Sequence, residues 1–182
     1  MDNIIIDKTV CFSGHRPMNL PGNGRWADNR TKIIKSMLYF KIYTSVQEGY
    51  INFITGLARG IDLWSAMIVL ELQSQHPNLS LICVKPTENH GENFKGEDRY
   101  MLDYALYHAA KIVCTSPYYH ANCYKIRNQY MVDHSSKLIA VVNNYASGTG
   151  QTIKYAEKKG KVIEIINTAE IDEVYKSYYN TY

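Results

Sequence analysis

The sequence predicts an α/β fold with a mainly parallel sheet of about six strands and helices on both faces. Two observations predict it. Six short runs rich in Ile and Val recur along the chain, apolar at successive positions rather than alternate ones. Longer stretches of helical period separate them. A strand that is apolar on both faces needs cover on both, and strand–helix alternation supplies it.

The strand runs are TVCFSG (9–14), INFITG (51–56), LSLICVKP (79–86), KIVCTS (111–116), KLIAVVNN (137–144) and KVIEIIN (161–167). The first helix is expected over 25–48, where Ile33, Ile34, Met37, Leu38, Ile42 and Val46 fall near helical spacing. Further helices are expected over 60–74, 97–110, 122–136, 149–159 and 170–179. Gly160 closes the fifth, since glycine adopts the left-handed conformation that ends a helix. No repeat or linker divides the chain, so residues 1–182 read as one domain.

At 182 residues and 46% hydrophobic composition, the chain can bury one well-packed core. A net charge of +3 gives no strong electrostatic footprint for nucleic acid or an anionic membrane. No run reaches 18 apolar residues, and the first ten residues lack the features of a signal peptide. The four cysteines form no CxxC and no Cys/His cluster, and Cys11, Cys83 and Cys114 sit inside apolar runs as small hydrophobes. The expectation is a reduced, cytoplasmic protein with no metal site, no cofactor and no membrane partner. Sixteen tyrosines offer rings that stack and hydroxyls that hydrogen-bond.

In open α/β sheets, ligands bind outside the carboxyl ends of the strands. Four strand ends carry chemistry: Ser13-Gly14-His15-Arg16-Pro17, the Thr55–Asp62 corner with Gly56, Arg59 and Gly60, the loop with Tyr118 and Tyr119, and Asn143–Gly150 with Ser147, Gly148 and Thr149. Glycines there let backbone N–H groups approach an anion, and helix N-termini favour negative charge. Together they predict a phosphate- or nucleotide-type pocket. TGLARGID lacks the glycine spacing of the dinucleotide fingerprint, and the chain lacks the lysine of a P-loop. Arg16 is suited to bidentate phosphate contact, the alternative being a local ion pair. His15 either serves the ligand or caps its turn. Asp62 either complements the helix dipole or accepts from a ribose hydroxyl. Arg127 and Asn128, on the fourth helix, can hold a phosphate and a sugar or base edge, and Asp133 can organise them by pairing with an arginine. Tyr118 can stack on a base. Each of these four also has an ordinary structural reading as solvated helix face or loop packing.

FSGHRP, ITGLARGIDLWSA, YKIRNQYMVDHSSKLIAVVNN and SGTGQTIKYAEKKGKVIEI together resemble the YpsA-type family of the SLOG (SMF/DprA–LOG) superfamily. The likeness spans about residues 9 to 166. It implies a Rossmann-like fold, a bacterial or phage source, and binding of nucleotides or nucleotide-derived signals, for sensing or sequestration. One alternative is a phosphoribohydrolase that cleaves base from a nucleoside monophosphate. That branch carries Gly-Gly-x-Gly-Thr followed within three residues by Glu. Here Ser147-Gly148-Thr149-Gly150 is followed by Gln151 and Thr152, which argues against an enzyme. The second alternative is single-stranded DNA binding as in the DNA-uptake branch, which the small net charge does not favour. A homo-oligomer stays open.

Overall fold

A computed structural model describes residues 4–179. Six parallel strands form one sheet: β1 (Thr9–Gly14), β2 (Asn52–Thr55), β3 (Ser80–Lys85), β4 (Lys111–Cys114), β5 (Lys137–Val142) and β6 (Val162–Asn167). Their order is β4-β3-β2-β1-β5-β6. The chain steps outward from β1 to β4, then returns to lay β5 on the free side of β1. The order therefore reverses between β1 and β5, the point at which open sheets leave a crevice.

Helices α1 (Asn29–Gln47), α2 (Ile61–Gln73), α3 (Gly96–His108), α4 (Cys123–Asp133), α5 (Gly148–Lys158) and α6 (Thr168–Tyr179) join and follow the strands. Alternation along each strand divides them between two cores. Val10 and Phe12 of β1, Phe53 of β2 and Ile139 and Val141 of β5 pack with α1, α2, α3 and α6. Cys11, Ile54, Ile82, Leu138 and Ala140 face the other way, onto Met131 and Val132 of α4 and Ile153 and Ala156 of α5. The central strands are thus apolar on both faces, as their sequences require.

The two edge strands depart from that expectation. In β4 Lys111 and Ile112 are exposed, and in β6 Val162 and Ile165 are exposed, each strand being paired on one side alone. Cys114, on β4, is for that reason only half-buried, while Cys123, outside any strand run, is buried at the start of α4. Burial pushes the Cys11 and Cys83 thiols up to about 12, so neither is a nucleophile at neutral pH.

Helix ends follow local chemistry. α1 begins at Asn29, four residues later than its apolar period suggests, because the Asp28 side chain accepts from the Arg30 N–H at 2.9 Å. The preceding turns use Gly22 and Asn23 at φ 72° and 51°. α5 ends as expected, with Gly160 at φ 65°. α6 begins two residues early, where Asn167 Oδ1 accepts from the Ala169 N–H at 3.1 Å. No helix among the described residues is long and apolar enough to cross a membrane.

Candidate functional site

The carboxyl edge of the sheet is organised around a buried ion pair. Arg127 is the fifth residue of α4, on one face of the sheet, and Asp62 is in the first turn of α2, on the other. Arg127 Nη1 donates to Asp62 Oδ2 at 2.8 Å, and both side chains are 5% exposed. The guanidinium reaches across the sheet edge directly over Gly56. A Cβ on Gly56 would lie 1.2 Å from Arg127 Nη1. The glycine of TGLARG is therefore required by a side chain of this protein, which occupies the space that the sequence suggests for an anion. Asp62 also accepts from the Ala58 N–H at 3.3 Å, and Thr55 Oγ1 donates to the Asp62 carbonyl at 2.7 Å. Burial pushes the Asp62 carboxyl above its ordinary range, against the pull of Arg127. Arg127 Nε is buried without a hydrogen-bond partner among the described residues.

The turn between Gly56 and α2 is tightly specified. Leu57 is fully buried at φ 61°, in the left-handed region that side chains seldom adopt. Its carbonyl lies 3.0 Å from His90 Nε2, so that nitrogen carries the proton and donates. Burial lowers His90 to about 4, leaving it neutral. Gly60, at φ 85°, fits against the His15 carbonyl and Pro17, where a Cβ would lie 2.9 Å from both. Gly14 is equally confined, because a Cβ there would lie 2.4 Å from Ile61. Three of the corner glycines thus serve close packing of loops and helices on strands.

Above this floor lies a cleft of about 650 Å³ formed by the loops after β1, β2, β3 and β4. Arg16, Arg59, His90, Phe94, Tyr119 and Tyr124 line it. The Arg16 guanidinium is 6.0 Å from the centre of the Tyr124 ring and enters no ion pair among the described residues. Arg59 lies 4.5 Å over Phe94, donates to the Asn93 carbonyl at 3.0 Å, and has Nε 3.4 Å from Asp98. Burial raises the Asp98 carboxyl.

The remaining candidates line neighbouring hollows. His15 is 7% exposed, and its Nε2 accepts from the Asn143 N–H at 3.2 Å, tying the β1 loop to the β5 loop across the reversal of strand order. Burial lowers its pKa, so it faces the crevice as a neutral ring. His15, Asn143, Ser147 and Thr168 line a polar hollow of about 740 Å³. Asn128, Gly148 and Gln151 line another of about 680 Å³, which shares Tyr124 with the arginine cleft. Asn128 Nδ2 donates to Thr152 Oγ1 at 2.9 Å, joining α4 to α5.

The β5 corner is also more committed than its sequence suggests. Ser147 Oγ caps α5 by accepting from the Gly150 N–H at 3.1 Å, which removes that donor from any anion cradle. Thr149 is buried, as is Ser13 within β1. Gly148 has open space where a Cβ would stand. Asp133 pairs with Lys159 at 2.8 Å and accepts from the Tyr155 hydroxyl, so its cationic partner is a lysine rather than an arginine. Tyr118 is 81% exposed and stands outside the cleft, whereas its neighbour Tyr119 lines it. Sequence reasoning missed His90, Phe94 and Tyr124. The first two occupy ENHGENF, an irregular segment after β3 whose polar composition resembles any loop. Among the described residues no three His, Cys, Asp or Glu side chains cluster as metal ligands.

Comparison with known proteins bears on this architecture. The model of the YspA SLOG family (YpsA) matches residues 10–171. The chain belongs to that family. A UPF0398 protein of Bacillus cereus (strain B4264) is 28% identical over 158 residues, covering 85% of each chain. A UPF0398 protein of Bacillus thuringiensis (strain Al Hakam) is 27% identical over the same length and coverage. Among solved structures, DNA processing protein A (DprA) of Streptococcus pneumoniae superposes with a TM-score of 0.59 at 16% identity, over 89% of this chain and 50% of that one. DNA processing protein A of Helicobacter pylori, whose structure addresses its single-stranded DNA binding mode, gives 0.57 at 14% identity, over 86% and 64%. At those identities the likeness establishes the Rossmann-like fold.

Proposed function

We propose that this SLOG protein binds a nucleotide or nucleotide-derived ligand in the cleft over β1–β4, acting as a sensor or sequestering module. One observation carries the reading: Arg16 and Arg59 share a cleft of about 650 Å³ with the rings of Phe94, Tyr119 and Tyr124. Guanidinium groups suit phosphate, and aromatic faces suit a base. The volume falls within the usual range of small-molecule sites. Arg127, paired with Asp62, acts beneath the floor as a positioning group. The test is to denature the purified protein, identify released metabolites by mass spectrometry, and titrate the identified nucleotide by calorimetry. Arg16→Ala is expected to weaken binding by about 1.5–3 kcal/mol, the range for hydrogen bonds to charged groups. Unchanged affinity in Arg16→Ala and Arg59→Ala refutes the site.

A hydrolytic reading has one observation in its favour. Asp98 lines the same cleft with its carboxyl raised by burial, a condition for a general acid. Base release from nucleoside monophosphates that vanishes in Asp98→Asn would establish it. Single-stranded DNA binding, by analogy with the H. pylori protein, is tested by oligonucleotide anisotropy across salt concentrations.

A further inference from the structure

Helix α1 is apolar on its outer side as well as its inner one. Ile34, Leu38 and Ile42 are fully buried, yet Ile33, Met37 and Phe40 are 42%, 38% and 64% exposed. Positions i, i+4 and i+7 form one stripe along a helix. Beside the stripe lies a hollow of about 850 Å³ between α1, β6 and α6, lined by Ile33, Met37, Tyr145, Ile165, Ile171 and Val174. It lies away from the arginine cleft and shares no lining residue with it. Contiguous exposed apolar surface of this kind marks an interaction face.

The charges around it say what covers it. Between residues 29 and 47, α1 carries Arg30, Lys32, Lys35 and Lys41 and no carboxylate. α6 carries Glu170, Asp172 and Glu173 against one lysine, Lys176. Within the chain, the two signs already match across the groove: Arg30 pairs with Asp172, and Lys41 with Glu164 of β6. Lys32 and Glu173 enter no ion pair among the described residues. One patch therefore holds an apolar ridge flanked by base and an apolar groove flanked by acid. Such a patch is complementary to itself, the condition for an isologous two-fold contact. Packing α1 against a second α1 would set lysines against lysines, whereas packing α1 against a second α6 opposes unlike charges.

We infer that this face joins two copies of the chain. The α1 ridge of each copy lies in the α1–α6 groove of the other, with Phe40 as its most exposed anchor and basic α1 facing acidic α6. Buried aromatic anchors carry most of the energy of such contacts.

Sedimentation velocity from about 1 to 100 μM, a range that covers moderate dissociation constants, tests this. The wild-type chain is expected to be dimeric toward the upper end, more so at low salt. Phe40→Glu is expected to raise the dissociation constant by about 30-fold or more, the scale of a hot-spot residue. Because Phe40 is exposed, its circular dichroism and thermal midpoint are expected to stay near wild type. Lys32→Glu and Glu173→Lys each weaken the dimer, and the double reversal restores it. A wild-type chain that stays monomeric throughout overturns the inference. So does a dimer that Phe40→Glu leaves intact, or one indifferent to both charge reversals.

Discussion

Replacing Gly56 by alanine adds one methyl group to a solvent-poor corner, yet it is expected to be among the most damaging single changes in the protein. The new Cβ would stand 1.2 Å from Arg127 Nη1 and 2.3 Å from Cζ. Carbon and nitrogen atoms in contact need roughly 3.5 Å, so the guanidinium must withdraw by about 2 Å. That displacement breaks its 2.8 Å bond to Asp62 Oδ2. Breaking one side of a buried ion pair costs about 3–5 kcal/mol, because the abandoned charge keeps its desolvation penalty. For a chain of this size that corresponds to a midpoint about 6–20 °C lower. With Arg127 withdrawn, burial of Asp62 is unopposed and its pKa rises further. The folded state then binds more protons than the unfolded state above the ordinary carboxylate pKa, so the deficit grows as pH rises from about 4 to 7. Urea unfolding followed by circular dichroism at both pH values reads these effects. The decisive arm is Arg127→Leu. In that background the methyl group meets no guanidinium and has only the Asp62 carboxylate oxygen, 2.7 Å away, to displace, so Gly56→Ala is expected to cost less than it does alone, a departure from additivity. A loss below about 1 kcal/mol for Gly56→Ala alone, or additive losses in the pair, would refute the reasoning.

Three other outcomes are expected. His90 has a folded pKa of about 4 against an ordinary 6.5, so its contribution is complete above pH 6.5 and is lost as pH falls toward 4; in urea titrations, His90→Gln should remove a dependence on the order of 3 kcal/mol over that window. Asn128→Ala removes the 2.9 Å bond to Thr152 and should cost about 0.5–1.5 kcal/mol in the same titrations, without changing ligand affinity if the site lies in the arginine cleft. Gly150→Ala sets a Cβ 2.0 Å from the Tyr145 carbonyl oxygen and should lower the thermal midpoint, whereas Gly148→Ala, with open space at its Cβ, should leave it within about 1 °C, as surface changes usually do.

The sheet was legible because its central strands are buried on both faces, and that forces the continuous apolar runs of β1, β2, β3 and β5. Helix ends were less so. Asp28 and Asn167 set the starts of α1 and α6 through single hydrogen bonds, which apolar period does not register. At the site, the sequence marked the corners at the strand ends but not what fills them. A glycine after a strand looks the same whether it admits a phosphate or a guanidinium. Gly56 and Arg127 are 71 positions apart (127 minus 56), and nothing local links them. The same holds for His15 and Asn143, whose 3.2 Å contact exists only because β5 returns beside β1. Asp133 was assigned the right kind of partner, a cation, but Lys159 reaches it from α5, a helix whose placement next to α4 is tertiary information.

The position of Tyr124 connects the buried pair to the open cleft. Its ring centre is 6.0 Å from the guanidinium carbon of Arg16 and 6.0 Å from that of Arg127. The ring's electron-rich faces attract both cations, and the gain is greater for the desolvated one. Arg127 is paired with Asp62, whereas Arg16 enters no ion pair among the described residues. A ligand phosphate arriving at Arg16 thus meets a cation held in place by an aromatic neighbour, with no carboxylate to displace. Arg59 differs, since any ligand that takes it must compete with Asp98 at 3.4 Å and the Asn93 carbonyl at 3.0 Å. In the proposed site that competition gives the two arginines separate work: Arg16 would supply affinity, and Arg59 would couple ligand binding to the 86–95 loop, whose Asn93 carbonyl it holds. The loop also carries His90, which holds the strained Leu57 turn above Gly56. On the proposed reading, a ligand that draws Arg59 away from Asn93 and Asp98 would therefore loosen a segment that contacts both the cleft and the turn over the buried pair.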